Sequence, residues 1–285
     1  MRLYHKAKRD GIWDPRDIDF ATDVADWGAM GAAEREGILR LTAMFQAGEE
    51  SVTLDLLPLI LAVSGDGQME EAMYLSTFHW EEAKHTEFFR RFLDEVCATT
   101  GDLGDLGRFH TPSYRRIFYE ELPGAMSALL TDASPVAQAR ASVTYNMIVE
   151  GVLAESGYHA YFRATERLGI LPGLREGLRL VRQDESRHIA YGLYLLCRLI
   201  AADGAVWPAV EGRMAEMGEM ALGLLGELLP SEEGGLIPVE RSEFVDFAAT
   251  QLQRRYARLS AARAQSLAQV DQVLAEEEGV RLPEP

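Results

Sequence analysis

The chain has 285 residues, with 28 Lys and Arg against 45 Asp and Glu and a formal net charge of -17. That acidity excludes a general nucleic-acid binder and a partner for anionic membrane surfaces. The hydrophobic fraction of 47% and the two cysteines, Cys97 and Cys197, in separate helical contexts fit a soluble globular protein of a reducing, cytoplasmic compartment.

Residues 1–27 read as an N-terminal arm on a single domain spanning 1–285. Its start, MRLYHKAKRD, is basic but has no apolar run after it, so no signal peptide is expected. Asp14-Pro15 and Asp19 are turn or cap signals, and Trp13 and Trp27 are anchors that tuck the arm onto the body. Helical periodicity runs from Gly31 to Val63, with Pro58 predicted to kink the helix or end its regular part near Leu57. Ser64-Gly65-Asp66-Gly67 is a break. No apolar run reaches the ~18 residues of a membrane span; the densest, Leu54–Val63, carries Asp55 and Pro58.

A second long helix is predicted from Gln68 to Ala98, then a loop at 101–107 and a shorter helical stretch over 111–130, entered through Thr111-Pro112 and interrupted by Pro123-Gly124. Ser134-Pro135 is an N-cap followed by proline in the first turn, opening a helix to Leu168 that Gly169 closes. Further helices are expected at 174–202, 206–229 and 239–278, the last two flanking a Glu-Glu-Gly-Gly turn at 232–235. No strand pattern appears, and long helices joined by short connections predict an all-α bundle of antiparallel neighbours.

Two tetrads of the form Glu-x-x-His lie in mid-helix: Glu82-Ala-Lys-His85 and Glu185-Ser-Arg-His188. Residues three apart share a helical face, so each tetrad can present a carboxylate and an imidazole to one metal ion. Glu49 precedes Glu82 by 33 residues and Glu150 precedes Glu185 by 35, each within the preceding helix. The order Glu, Glu-x-x-His, repeated once, is the pattern of carboxylate-bridged dimetal bundles. Four carboxylates and two neutral imidazoles carry four negative charges, costly to bury without cations. Two divalent ions neutralise them, and two trivalent ions leave room for an oxo, hydroxo or exogenous anion. Oxygen and imidazole donors suit iron or manganese, although spacing alone does not separate these from zinc. The competing reading is a set of surface ion pairs with Lys84, Arg182 and Arg187, which the apolar neighbours of Glu150 oppose.

Longer blocks extend this pattern: Trp13-Asp-Pro, Asp17-Ile-Asp-Phe20, Gly48 to Leu57, Trp80 to Phe89, Tyr145 to Glu155 and Asp184 to His188. In these the chain resembles the R2-like ligand-binding oxidases, relatives of the ribonucleotide reductase small subunit with a ferritin-like helical bundle and additional helices. The resemblance implies manganese in a first site of Glu49, Glu82 and His85 and iron in a second of Glu150, Glu185 and His188, with two irons as an alternative loading. It also implies activation of dioxygen, a long-chain fatty acid bridging the metals, an ether cross-link from Val52 to Tyr145, and a homodimer. Read as residues, Val52 shares a face with Glu49. Tyr145 lies five positions, about 7.5 Å of axial rise, before Glu150, within reach of its long side chain.

Two rival functions are a radical-generating reductase subunit and a non-catalytic metal- or lipid-binding bundle. Against the first, Phe89 stands four residues after His85, where reductase subunits typically carry a radical tyrosine, and the stretch ending at Pro285 lacks a long tail with aromatic docking residues. No large reductase subunit is therefore expected as partner. Tyr158 is a candidate hydrogen-bonding neighbour of the cluster, and Asp184 is placed to orient His85 or His188. His79 and His159 are read as structural or surface groups. Leu56, Phe89, Phe92, Met147 and Leu153 are candidate lining for an apolar channel.

Overall fold

Pro58 decides where the first long helix ends. A proline ring clashes with the carbonyl four residues back and has no N–H to donate. In the computed structural model, which describes residues 1–98, 103–228, 241–270 and 272, α3 (Ala32–Asp55) stops just before it and α4 (Leu57–Gly65) takes the proline in its first turn. Two short helices precede them, α1 (Arg2–Asp10) and α2 (Ala21–Ala29). The arm is therefore mostly helical, which its mixed composition did not suggest. Asp14 and Asp19 do cap turns, accepting from Arg16 N and Ala21 N.

Gly67, at φ +74°, supplies the left-handed turn into α5 (Met69–Glu95). After it come α6 (Pro112–Arg115), capped by the Thr111 hydroxyl, and α7 (Leu122–Ser127). A π-helical turn, Arg116–Glu121, joins these two, so Pro123 opens a segment rather than interrupting one. The Ser134 hydroxyl caps α8 (Pro135–Ser142) through Ala137 N. From α8 the chain runs through twelve π-helical residues, Val143–Ala154, into α9 (Glu155–Leu168), which ends on Gly169 at φ +64°. The helix predicted over 134–168 is continuous, but its middle third has π rather than α spacing.

Next comes α10 (Pro172–Ala202), whose start lies two residues before the predicted one. Its first turn is capped by the arm. Asp23 accepts from Gly173 N and Leu174 N at 2.8 and 2.7 Å, and Asp26 accepts from Leu171 N at 2.8 Å. Carboxylates placed there satisfy orphan N–H groups and complement the helix dipole. The chain then forms α11 (Trp207–Leu228) and α12 (Arg241–Ala262). The last predicted helix is shorter than expected, because the chain turns at Arg263–Ala264 before a brief helical stretch at 267–270. The turn at 232–235, the start of the 101–107 loop and the stretch ending at Pro285 lie outside the described residues.

Among the described residues all regular structure is helical. α5 packs on α3 and α10, and α10 packs on the π-helical segment, giving a four-helix centre. α11 and α12 cover the π-helical side, and α1 lies across α5 and α10. One apolar cluster extends from Ala7 to Val270. No single helix in the described residues is long and apolar enough to cross a membrane.

Candidate metal centre

Six side chains from four helical segments converge inside this centre. α3 brings Glu49, α5 brings Glu82 and His85, the π-helical segment brings Glu150, and α10 brings Glu185 and His188, all buried. His85 Nδ1 lies 3.6 Å from Glu49 and Glu82 and 3.4 Å from Glu185. His188 Nδ1 lies 3.2 Å from Glu82 and 3.6 Å from Glu150 and Glu185. Two overlapping donor groups result: Glu49, Glu82, His85 and Glu185; and Glu82, Glu150, Glu185 and His188. Glu82, assigned by the sequence to the first site, occurs in both groups. Glu185, assigned there to the second site alone, occupies the equivalent shared position.

The donor atoms fit a pair of cations. Glu49 Oε2, Glu82 Oε2, His85 Nδ1, Glu150 Oε1, Glu185 Oε2 and His188 Nδ1 are all buried without a hydrogen-bond partner. Each such orphan costs about 1–3 kcal/mol unless something meets it. The ion pairs that reach these four carboxylates within the described residues come from His85 and His188. Lys84 and Arg187 are buried too, but they are committed elsewhere, so the reading as surface ion pairs is set aside.

Without a cation the cluster retains protons. Burial raises the Glu49 carboxyl to about 8 and lifts that of Glu150 well above the usual range. Burial disfavours charge on both imidazoles, but nearby carboxylates outweigh it. Asp184 and Glu185 act on His85, and Glu150 and Glu185 on His188, so both rings hold their protons well above the ordinary imidazole value. Burial also works against ionised Glu82, yet His188 and His85 keep its carboxyl below the usual range.

Behind the ligands stands a second set of charges with the same symmetry. Asp184 approaches Nε2 of His85 at 3.3 Å, and Glu81 approaches Nε2 of His188 at 2.9 Å. Each acid directly precedes the glutamate of one tetrad and holds the histidine of the other. That contact leaves Nδ1 facing the cluster. Lys84 donates to Asp184 at 2.9 Å and to Gly11 O at 2.5 Å; Arg187 bonds Glu81 at 2.6 Å and also reaches Asp184. Two outer acids are thus balanced by two protein cations, and the inner four are left for metal. Trp13 Nε1 donates to Asp184 at 2.8 Å, and its ring stacks beside His85 at 6.3 Å. Sequence reasoning placed Asp184 but missed Glu81, although Glu81 occupies the same position in its own tetrad.

Asn146, also missed, donates to Glu150 Oε2 at 3.0 Å and accepts from Ser142 at 2.8 Å. Tyr145 Oη donates at 3.3 Å to both Val52 O and Glu82 Oε1. In a π-helix the backbone repeats from i to i+5, which brings Tyr145 and Glu150 onto one face more directly than the α-helical estimate implied. Tyr158 stacks on Phe45 at 5.0 Å, and its buried hydroxyl has no hydrogen-bond partner among the described residues, so the expected bond is not made. His159 stacks on Phe247 at 4.4 Å, a structural role as expected.

An apolar cleft of about 90 Å³ opens beside the centre. Glu49, Val52, Glu150 and Glu185 line it together with the apolar Leu41, Met44, Phe118, Leu153, Leu224 and Phe244. Of the predicted lining only Leu153 faces it. Leu56, Phe89, Phe92 and Met147 are fully enclosed core, because helical periodicity marks the inward face but not which inward residues border a void.

The family model of the ribonucleotide reductase small chain matches residues 1–223. A solved point variant of an R2-like ligand-binding oxidase, with anaerobically reconstituted Mn/Fe cofactor, is similar at 38% identity over 90% of this chain and 92% of that one, with TM-score 0.84. A second variant, aerobically reconstituted with Mn/Fe, matches at the same identity and coverage with TM-score 0.86.

Proposed function

This chain belongs to the R2-like ligand-binding oxidases of the ribonucleotide reductase small-chain family, and from that premise we propose that it is a dioxygen-activating Mn/Fe oxidase that joins Val52 to Tyr145 and holds a long-chain fatty acid. Glu49, Glu82 and His85 would hold manganese and Glu150, Glu185 and His188 iron, with Glu82 and Glu185 facing both; two irons fit the same donors. When bound, the metal pair supplies the reduction of dioxygen and the oxidising power for a two-electron reaction.

The chain's own residues supply position and proton handling. Burial, reinforced by the charge of Glu82, keeps the Tyr145 phenol protonated far above its ordinary range. Its oxidation must therefore release a proton, and the hydroxyl that loses it is held by Val52 O and Glu82 Oε1, both at 3.3 Å. Ether formation would break the Val52 Cβ–H and Tyr145 Oη–H bonds, make one C–O bond and release two protons and two electrons, for which the oxidised metal pair would be the two-electron acceptor. The observation that carries this reading is the 3.3 Å approach of Tyr145 Oη to Val52 O, with Glu82 at the same distance. The cleft supports the lipid: three of the donor carboxylates, Glu49, Glu150 and Glu185, line it, and most of its other walls are apolar.

Phe89, fully buried and stacked on Phe45 at 5.1 Å, offers no phenol where a reductase subunit typically has one, which favours the oxidase over a partner-dependent radical generator. The reading includes a cytoplasmic homodimer that acts without a large reductase subunit on a lipid-like substrate. Aerobic reconstitution with iron and manganese followed by peptide mapping tests it. One linked peptide pair containing Val52 and Tyr145, lighter by two hydrogens, is expected, and Tyr145→Phe should abolish it. Unlinked peptides from protein carrying two oxidised metals would overturn the cross-link.

A further inference from the structure

A row of aromatic rings leaves the centre on the His188 side and is used by none of the chemistry above. Phe78 stacks on His188 at 3.6 Å and 8°. Tyr74, one turn earlier on α5, meets Phe78 edge-on at 6.1 Å, and Tyr191 of α10 meets Tyr74 at 5.3 Å. All three rings are buried. The row ends on a proton acceptor: Tyr191 Oη donates to Glu71 Oε2 at 3.0 Å, and Arg198, 18% exposed, pairs with Glu71 at 3.1 Å. We propose that Tyr191 is a redox residue that discharges surplus oxidising equivalents from the centre, passing one electron inward through Tyr74 and Phe78 while its phenolic proton moves to Glu71. This rests on the oxidase reading, because the oxidant is the dioxygen-oxidised metal centre.

The step balances. Tyr191 loses one electron to the centre, which is reduced by one, and one proton to Glu71, whose carboxylate becomes a carboxylic acid. A neutral phenoxyl radical remains. The two tyrosines have different parts in this. Tyr74 Oη is buried with no hydrogen-bond partner among the described residues, so its oxidation has nowhere to send a proton; it serves for passage. Tyr191 has an acceptor in place, so the radical rests there. Burial raises the Glu71 carboxyl above its ordinary value, making it a better base, while Arg198 keeps it available as carboxylate. On the other side, Trp13 faces Asp184, an acid already engaged by Lys84, Arg187 and His85.

The test uses Tyr145→Phe as parent, which removes the cross-link and forces oxidising equivalents to leave elsewhere. The metal-loaded protein, carrying ring-deuterated tyrosine, is mixed with oxygen, frozen on the millisecond-to-second scale and read by electron paramagnetic resonance. A tyrosyl radical is expected in the parent, reduced to background when Tyr191→Phe or Glu71→Gln is added. It should form more slowly when Tyr74→Phe is added. Circular dichroism and two metals per chain establish that each variant is folded and loaded. A radical that persists in Tyr191→Phe, or a parent that consumes oxygen without forming one, overturns the relay alone. Loaded protein that consumes no oxygen sinks the oxidase reading, and the relay with it.

Discussion

Glu81 and Asp184 each reach past their own tetrad to hold the histidine of the other, so neither half of the centre is oriented independently. Loss of such a partner typically weakens metal binding roughly 10–100-fold. Glu81→Gln should therefore lower affinity at His188, and Asp184→Asn should cost more at His85, since Asp184 also receives Trp13, Lys84 and Arg187. Chelator competition on the two variants measures both effects; unchanged affinities would make the contacts structural only. At this scale four of the six converging residues were legible because i, i+3 spacing within one helix is written in the chain itself, and Glu49 and Glu150 followed as the single acids of the helices before each tetrad. Asn146 and Glu81 were not, because their roles depend on which neighbouring helix they meet. Glu81 next to Glu82 reads like one more solvent-facing acid until α10 is placed against it.

The π-helical stretch Val143–Ala154 is the element on which the second half of the centre depends. Its wider spacing presents Tyr145, Asn146 and Glu150 together, and Gly192 of α10 allows it to approach. A Cβ at Gly192 would overlap the Asn146 side chain, which holds Glu150. Gly192→Ala should cost about 1–3 kcal/mol of stability, the usual range for overpacking a core. It should also reduce occupancy of the Glu150 side before the Glu49 side. Thermal melts of the metal-free protein and site-resolved metal analysis separate the two effects. Helix positions were readable from periodicity and from proline and glycine punctuation at Pro58, Gly67, Ser134-Pro135 and Gly169. The π segment was not, since a stretch buried on every side, such as Met147 to Leu153, shows no period by which α and π spacing differ.

Across the molecule, metal uptake is a proton exchange. The metal-free centre holds protons on His85, His188, Glu49 and Glu150, all raised by burial or by neighbouring acids. Ligands bind metal only after losing them. Affinity should therefore fall as pH drops, and the steepest change should begin near the Glu49 value of about 8. Stopped-flow dye measurements at pH 7 should record about four protons released per metal pair, one from each of these groups. Release of none would mean the cluster is already deprotonated. The all-α architecture was legible in the chain because it follows from local periodicity. The work of the arm was not, because Gly11 O, Trp13 and Asp23 meet partners more than seventy residues away.

That separation also sets an order of events during synthesis. Residues 11–23 leave the ribosome before the partners they meet: Trp13 has nothing to bond until Asp184 emerges, and Asp23 has no helix end to cap until Gly173 and Leu174 follow. That stretch can find its place only once α10 has been made. Until then the Lys84 and Asp184 side of the centre lacks the cover that Gly11 and Trp13 give it.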